Sequence, residues 1–385
     1  MIRQLADVFE SYGFEPLETP ALEYEEVLLG KYGEEGDKIM YRFEDLGGRK
    51  VALRYDQTVP LARVVAQYGS TGSPQLPFPF KRYQIQPVWR AENTQKGRFR
   101  EFLQCDADAV GTKSVLSDAE VIAVAAKALE KLGFKNFRIL INDRSIFKNI
   151  PPIAIRAIDK LKKIGREKVL EEMVQKGIKN EQATYILQSI EQAKPTERLK
   201  QIFSSLEKFG VEPLKYEFSP TLARGLDYYT STIFEIEIDG YTAGSVCGGG
   251  RYDNLIGMFS GKDTPAVGFA FGFDRLMEAM EELNLFPNNL TSTKILVTIF
   301  SKELKEKSIE VSSELRSNGI NTELYPDEEV KLDKQLKYAD QKNIPYAVII
   351  GPVEAKNNTA TLKNLKTGDQ KTISKEELLK IFSFA

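Results

Sequence analysis

The segment VWRAENTQKGRFREFLQCDAD, residues 88–108, restricts the possible folds more than any other part of this sequence. Side chains two residues apart share one face of a strand. One face carries Arg100, Phe102, Gln104, Asp106 and Asp108, and the other carries Glu101, Leu103, Cys105, Ala107 and Ala109. Small apolar side chains on one face must pack against another layer, so the pattern predicts an antiparallel strand in a sheet covered on that side.

The residues before this strand suggest a purpose for its polar face. Arg90 and Glu92 share a face, and NTQKG supplies a polar connection that contains a glycine. A hairpin would bring both residues beside Phe102 and Gln104. The ring could stack on a base and the arginine could bind a phosphate, so the pattern is suited to a nucleotide. The strand considered alone favours the simpler alternative, a polar face turned to solvent.

The 385 residues include no histidine, which limits the chemistry of the chain. Histidine is the usual general base near neutral pH, so Ser-His and Cys-His arrangements are excluded among these residues. Cys105 and Cys247 lack metal-ligand spacing and are predicted to be buried structural thiols. A formal charge of −2 predicts that any nucleic acid binds through local patches. Few cysteines, no secretory signal and no long apolar run predict a reduced, soluble, cytoplasmic protein without a membrane span.

The order of the other patterns predicts two domains. Helices are predicted at 1–11, at 115–132 and from about Pro60. A loop and a strand are predicted at 12–23, and further strands around a Gly-Gly turn at 47–48 and at FRILIND. Residues 145–210 have helical spacing and no strand signal, which predicts an all-helical insertion. After the Pro/Asn-rich stretch NLFPNNLTSTK, strands and helices alternate, which predicts a separate α/β domain with a mixed or parallel sheet over 293–385.

Two local patterns leave alternatives open. Arg54, Asp56 and Thr58 are predicted on a common strand face, but Asp56 or Thr58 could simply cap the helix that follows. The glycines of AGSVCGGGRYD and TPAVGFAFGFD permit close approach of the backbone to a ligand, and a tight turn between strands explains them almost as well.

Several stretches together resemble a known family. GFEPLETPALE, VWRAE…GRFREFLQCDAD and GFAFGFDRL are similar to motifs 1, 2 and 3 of class II aminoacyl-tRNA synthetases, and LARGLDYYTSTIFE followed by GGGRYDNLI resembles the two signature stretches of the histidyl-tRNA synthetase family. The resemblance covers nearly the whole chain. It implies an α+β protein with a class II antiparallel-sheet catalytic domain over 1–290, a helical insertion at about 145–210 and an α/β anticodon-binding domain over 293–385.

The resemblance also implies an ATP site. Arg90 matches the position that holds the α-phosphate, Glu92 the one that meets the adenine amine, and Phe102 the one that stacks on adenine. Arg275 matches the residue that covers the other face of adenine and reaches the γ-phosphate. Mg²⁺ is expected with the ATP, while no metal ligand is identified in the sequence.

A histidine site follows in the same way. The positions that take the α-amino group are those of Asp56, Thr58 and Gln104. Those around the imidazole are Asp108, Tyr228 and Tyr229. Arg224 matches the catalytic arginine, which neutralises the α-phosphate as the histidine carboxylate attacks, with Arg90 as the second catalytic arginine. In-line displacement at phosphorus depends on positioning and fixed positive charge, so the enzyme needs no histidine side chain.

The function implied is that of a homodimeric ligase that activates histidine with ATP and transfers it to tRNA(His). The main alternative is the regulatory, histidine-sensing paralogue of ATP phosphoribosyltransferase, a non-enzyme that typically lacks the C-terminal domain and parts of the binding set. A prolyl or threonyl enzyme is a further alternative, against which RGLDYYT and Asp108 argue. The family usually has a Lys-Gly-x-Arg-Asp stretch before its first helix, and the given sequence starts inside that helix, as a truncated or a variant member would.

Overall fold

The computed structural model describes residues 1–31, 33–69, 75–94, 98–224, 228–287 and 291–382. It divides into two compact units, Met1–Leu285 and Phe286–Ala385. Parts of three predicted features lie outside the described residues: the hairpin connection at 95–97, the RGLDYYT stretch at 225–227 and the linker at 288–290. Among the described residues, no helix is long and apolar enough to cross a membrane.

The larger unit is organised around an extended, mainly antiparallel sheet. Its described strands are β1 (Glu15–Pro16), β2 (Leu22–Tyr24), β3 (Arg42–Glu44), β4 (Lys50–Leu53), β5 (Phe80–Trp89), β6 (Glu101–Val110), β7 (Phe137–Asp143), β8 (Tyr216–Phe218), β9 (Thr232–Ile238), β10 (Cys247–Arg251) and β11 (Ala266–Gly272). Eight of these strands form one sheet in the order β1-β5-β6-β11-β10-β9-β7-β8. The other three form a small sheet in the order β2-β4-β3.

The alternation predicted for residues 100–109 is confirmed. β6 pairs antiparallel with β5, so that Val88 lies opposite Phe102 and Arg82 opposite Asp108. The apolar face of β6 is buried through Cys105, Ala107 and Ala109. Residues 104–110 are buried on both faces, with polar side chains on one face and apolar side chains on the other. A slip of one residue would therefore turn every polar side chain to the apolar side.

Helices surround the main sheet and form the predicted insertion. Those of the larger unit are α1 (Ile2–Ser11), α2 (Glu25–Leu28), α3 (Gly33–Lys38), α4 (Thr58–Tyr68), α5 (Val115–Lys131), α6 (Pro152–Ile158), α7 (Leu161–Ile164), α8 (Arg166–Gln175), α9 (Asn180–Glu191), α10 (Glu197–Lys208), α11 (Gly257–Ser260) and α12 (Phe273–Glu282). Between β7 and β8 the chain is helical without a strand. Its helices α6, α8 and α9 share a core that includes Ala157, Val169, Met173 and Leu187.

The smaller unit has a mixed sheet, one of the two forms predicted. Its strands are β12 (Ile295–Val297), β13 (Thr322–Leu324), β14 (Tyr346–Ile349), β15 (Thr359–Asn364) and β16 (Gln370–Ser374), in the order β13-β12-β14-β15-β16. The helices are α13 (Lys305–Ser317), α14 (Leu332–Gln341), α15 (Pro352–Asn357) and α16 (Lys375–Phe382). The sequence pattern missed the β15–β16 hairpin because those strands are rich in threonine, lysine and glutamine, and pairing with β14 stabilises them.

Asp118 joins three elements of the larger unit. Its buried carboxylate, in the first turn of α5, accepts hydrogen bonds from Arg251 at the end of β10, with Nη2 2.5 Å from Oδ2. Arg198 of α10 donates to the same oxygen at 2.9 Å. Asp118 therefore links α5 to the sheet through Arg251 and to α10 through Arg198.

We expect Asp118→Ala to lower the free energy of unfolding of the larger unit by about 3–5 kcal/mol, because it leaves the buried Arg251 without its main partner. Urea unfolding followed by tryptophan fluorescence measures this change, since Trp89, the single tryptophan of the chain, lies in this unit. Lys200→Ala removes an exposed partner of Glu197 and is the control, with an expected change within about 0.5 kcal/mol. Equal stability of Asp118→Ala and the control would show that the buried cluster is not required.

Candidate active site

A cavity of about 400 Å³ lies over the polar face of β6. All eleven residues that the family resemblance assigned to a site line it. They are Asp56, Thr58, Arg90, Glu92, Phe102, Gln104, Asp108, Arg224, Tyr228, Tyr229 and Arg275. These residues are separated by up to about 220 positions in the sequence, and the sheet brings them to one place.

The β5–β6 hairpin forms one end of the cavity. The Arg90 amide donates to the Arg100 carbonyl at 2.8 Å and so extends the pairing of the two strands. The Arg90 guanidinium carbon lies 5.0 Å from the ring centroid of Phe102 and 4.2 Å from that of Tyr55. The predicted placement of Arg90 beside Phe102 is therefore confirmed, and Tyr55 is a neighbour that the sequence did not suggest.

Positive charge is concentrated at this end. Arg275 lies on α12, and its Nη1 donates to the Ser245 carbonyl at 2.7 Å. Burial, followed by repulsion from Arg98 and Arg90, lowers the pKa of Arg275. Glu92 forms an ion pair with Arg98 at 3.1 Å. Guanidinium groups that repel one another around a cavity favour a polyanionic ligand such as a triphosphate.

Asp56 combines two roles that the sequence left as alternatives. Its Oδ1 accepts hydrogen bonds from the Thr58 and Val59 amides, each at 3.1 Å, at the start of α4. Asp56 and Thr58 also line the cavity. The predicted common strand face with Arg54 is wrong, because β4 ends at Leu53 and the buried Arg54 instead donates to the carbonyls of Thr19 and Pro87.

Asp108 lies at the opposite end of β6 from Arg90, Arg98 and Arg275 and is almost fully buried. The Tyr252 hydroxyl donates to its Oδ1 at 2.5 Å. Nη2 of Arg82 lies 2.8 Å from Oδ2, an ion pair that lacks hydrogen-bond geometry. Burial raises the pKa of Asp108, while Arg82 and Tyr252 oppose that shift. These partners hold a carboxylate in a fixed position where it can accept a hydrogen bond from a ligand.

Sequence reasoning assigned no role to Tyr252 and Arg82, although signals for both were present. Tyr252 belongs to the GGGRYD signature stretch. Arg82 shares a polar strand face with Gln84 and Gln86 in the alternating sequence KRYQIQ. The alternation of β5 therefore mirrors that of β6, and the two polar faces form one continuous surface.

Arg224 lies between the two ends of the cavity. Its Nη1 donates to the Phe234 carbonyl at 3.2 Å and is 3.4 Å from the Glu235 carboxylate. Its guanidinium carbon lies 5.3 Å from the ring centroid of Tyr229. Burial lowers the pKa of Arg224, but Tyr229 and Glu235 outweigh that effect and raise it. The Arg224 side chain therefore keeps its positive charge although it is largely shielded from solvent.

The glycine-rich strands make room for these side chains. A Cβ on Gly248 of β10 would lie 1.6 Å from Nη1 of Arg224, and a Cβ on Gly268 of β11 would lie 1.8 Å from Oδ1 of Asp108. Both glycines are within strands, so the tight-turn alternative is wrong for them. At these two glycines the backbone closely approaches Arg224 and Asp108, which line the cavity, whereas the sequence suggested a close approach to a ligand.

Two expectations about reactive groups can be compared with the structure. Cys105 and Cys247 are both buried and form no disulfide, as predicted. Within the described ranges, no group of three or more histidine, cysteine, aspartate and glutamate side chains could hold a metal ion.

Comparisons with known proteins agree with the motif resemblance. A family model described as histidyl-tRNA synthetase matches residues 1–184 and 153–276, and one described as anticodon binding domain matches 294–383. The histidine–tRNA ligase of Cytophaga hutchinsonii is 41% identical over 98% of this chain and 94% of its own length. That of Wolinella succinogenes is 40% identical over 96% and 90%. The crystal structure of histidyl-tRNA synthetase from Nostoc sp. PCC 7120 has a TM-score of 0.85 and 32% identity, covering 99% of this chain and 93% of that one.

Proposed function

Because this chain belongs to the histidyl-tRNA synthetase family, we propose that it is a histidine–tRNA ligase that uses the cavity to join histidine to ATP. The observation that carries this function is the arrangement of charge in one cavity. Arg90, Arg98 and Arg275 surround one end, and Asp108 lies at the other. Such a site suits two substrates at once, one polyanionic and one with hydrogen-bond donors.

The arginine end binds ATP in this proposal. Adenine stacks on Phe102, whose ring already has the Arg90 guanidinium 5.0 Å from its centroid. Glu92 accepts from the adenine amine, and Arg275 covers the opposite face and reaches the γ-phosphate. The mutual repulsion of Arg275, Arg98 and Arg90 is relieved when a triphosphate arrives, so part of the binding energy comes from the charges already assembled.

The acid end selects histidine. In this proposal the α-amino group is bound by Asp56, Thr58 and Gln104. The imidazole is surrounded by Asp108, Tyr228 and Tyr229, and the two tyrosine rings lie 4.7 Å apart between centroids. Asp108 and Tyr229 are both buried. A site built to hydrogen-bond a polar group rejects analogues without that group by a factor on the order of 10⁴, because its own polar atoms are then left unpaired.

Arg224 and Arg90 act during the chemical step. A carboxylate oxygen of histidine attacks the α-phosphorus, the new phosphorus–oxygen bond gives the histidyl-adenylate, and pyrophosphate leaves. Charge grows on the α-phosphate during this displacement, and preorganised cations stabilise it without a proton transfer from the enzyme. In the second step a ribose hydroxyl at the tRNA 3′ end attacks the carbonyl carbon, and AMP leaves.

Mg²⁺ is expected to enter with ATP. Mg²⁺ is commonly held by substrate phosphates with few protein ligands. The described residues fit this mode, since they contain no dedicated cluster of metal ligands. When bound, the ion neutralises phosphate charge, and the arginines of this chain position the phosphates.

The smaller unit is assigned to tRNA(His). Residues 294–383 match the anticodon-binding model, which the regulatory paralogue of ATP phosphoribosyltransferase would typically lack. The retained arginines, carboxylates and tyrosines of the cavity favour a ligase over that paralogue as well. As an enzyme of translation, the protein is assigned to the cytoplasm.

A homodimer is the proposed assembly. Leu22, Tyr24 and Phe43 lie on one face of the β2-β4-β3 sheet and are each 45–49% exposed. Tyr24 and Phe43 flank Val51 across the three strands. Large apolar side chains grouped on a sheet face are typical of an interface, and a second copy of this chain is the proposed occupant. Light scattering that gives the monomer mass at micromolar concentration would contradict this assembly.

We expect Arg224→Ala to lower the rate of histidine-dependent ATP–pyrophosphate exchange about a hundredfold or more, as loss of a transition-state charge donor should. Arg138→Ala is the matched control, since Arg138 is half-exposed, lies outside the cavity and pairs only with the exposed Asp239 among the described residues. Exchange near the wild-type rate in Arg224→Ala would exclude the assigned role.

Removing residues 293–385 should leave histidine-dependent exchange measurable, because all residues assigned to ATP and histidine precede the smaller unit. Aminoacylation of tRNA should fall strongly, since anticodon contacts are lost. Light scattering on the same sample establishes whether the assembly is kept. A truncated dimer that charges tRNA as well as the full chain would show that this unit does not read the anticodon.

A further inference from the structure

Asp106 is a buried carboxylate in the cavity to which neither the resemblance nor the proposed function gives a role. It lies on β6 between Gln104 and Asp108, on the same face as both. It lines the cavity, is 1% exposed, and its Oδ1 has no hydrogen-bond partner among the described residues. An unpaired buried carboxylate oxygen is costly, so one that faces a ligand cavity points to a partner supplied by the ligand.

The neighbouring residues do not donate to that oxygen, although Nε of the buried Arg82 also lacks a hydrogen-bond partner among the described residues. Across the strands, Asp106 lies opposite Gln84 of β5 and Ala270 of β11. The Gln84 amide already donates to Thr19 at 2.8 Å and to Gln86 at 2.6 Å. Ala270 has no polar side-chain atom. Arg82 contacts Asp108, the Gln84 side chain and the Gln57 carbonyl.

Charged groups surround Asp106. Asp56, Asp106 and Asp108 share the cavity, and the buried Arg82 and Arg54 are charged neighbours of Asp106. Burial raises the pKa of the Asp106 carboxyl well above its ordinary value, Arg82 opposes this, and Asp108 and Asp56 reinforce it. The titratable groups that interact electrostatically with Asp106 are Arg54, Asp56, Arg82, Arg90, Cys105, Asp108, Cys247 and Tyr252. A ligand cation beside this carboxylate would favour its ionised form.

Resting on the proposed function, we propose that Asp106 binds the α-ammonium group of histidine through Oδ1. The position supports this assignment. Gln104, two residues earlier on the strand face, is assigned to the α-amino group, and Asp108, two residues later, is assigned to the imidazole. Asp106 lies between them on the same strand face.

The direction of the pH dependence follows from the charges. In the free enzyme the carboxyl holds its proton to a higher pH than an ordinary aspartate does. A bound ammonium favours the ionised form and lowers this pKa. Histidine affinity therefore rises with pH between the pKa of the bound form and that of the free form, and the carboxyl proton passes to solvent on binding.

Isothermal titration calorimetry of the full chain with two ligands tests the proposal. L-Histidine carries the ammonium, and 3-(imidazol-4-yl)propionate has the same ring and carboxylate without it. We expect Asp106→Asn to weaken histidine binding about tenfold or more, as loss of a charged hydrogen bond should, and to change binding of the deamino analogue less than about twofold. Asp108→Asn, the matched control on the same strand face, should weaken both ligands, because both carry the imidazole. ATP affinity in Asp106→Asn should stay within about twofold of the wild type, since the arginine end is unchanged.

The ATP affinity of Asp106→Asn also shows whether the variant is folded, so that a loss of histidine binding can be interpreted. The proposal is overturned if Asp106→Asn weakens both ligands alike or neither. A wild-type protein that fails to bind histidine at all would instead refute the proposed function.

Discussion

The site depends on one steric constraint, the absence of side chains on β10 and β11 where they pass the polar face of β6. Asp108 and the Arg224 guanidinium occupy the space in which Cβ atoms on Gly268 and Gly248 would lie. These two charges come from distant segments, and each needs close packing to stay in place. A single methyl group on either glycine would displace one of them. The glycine strands are therefore part of the binding machinery, although they contribute no functional group to it.

The second organising feature is the separation of charge along the cavity. Arg90, Arg98 and Arg275 repel one another at one end, and carboxylates are crowded at the other. In the proposed function, each substrate supplies the charge opposite to that of the end it occupies. Arg224 lies between the ends with its charge secured by Glu235 and Tyr229, where the α-phosphate and the attacking carboxylate would meet. Catalysis by such fixed charges explains how an enzyme without histidine can activate an amino acid.

Much of this arrangement could be predicted from the sequence because it rests on strand periodicity. The period of two in residues 100–109 predicted which side chains of β6 face the cavity, and the motif order predicted which distant residues join them. The position of Arg54 was predicted wrongly because a strand ends and a helix begins within a few residues. So short a segment has too few side chains to show where the strand periodicity stops. The roles of Tyr252 and of the two glycines could not be predicted, because they depend on contacts between strands that are distant in sequence. The β15–β16 hairpin was missed because its stability comes from pairing with β14, while its residues are polar.

The central claim is that one cavity binds ATP at its arginine end and recognises the imidazole and ammonium of histidine at its acid end. ATP–pyrophosphate exchange measured separately with each of the twenty amino acids tests this most directly, since it reports both binding and the chemical step. Stimulation by histidine alone is the predicted result. Equal stimulation by another amino acid, or no stimulation by histidine in a folded protein that binds ATP, would contradict the claim.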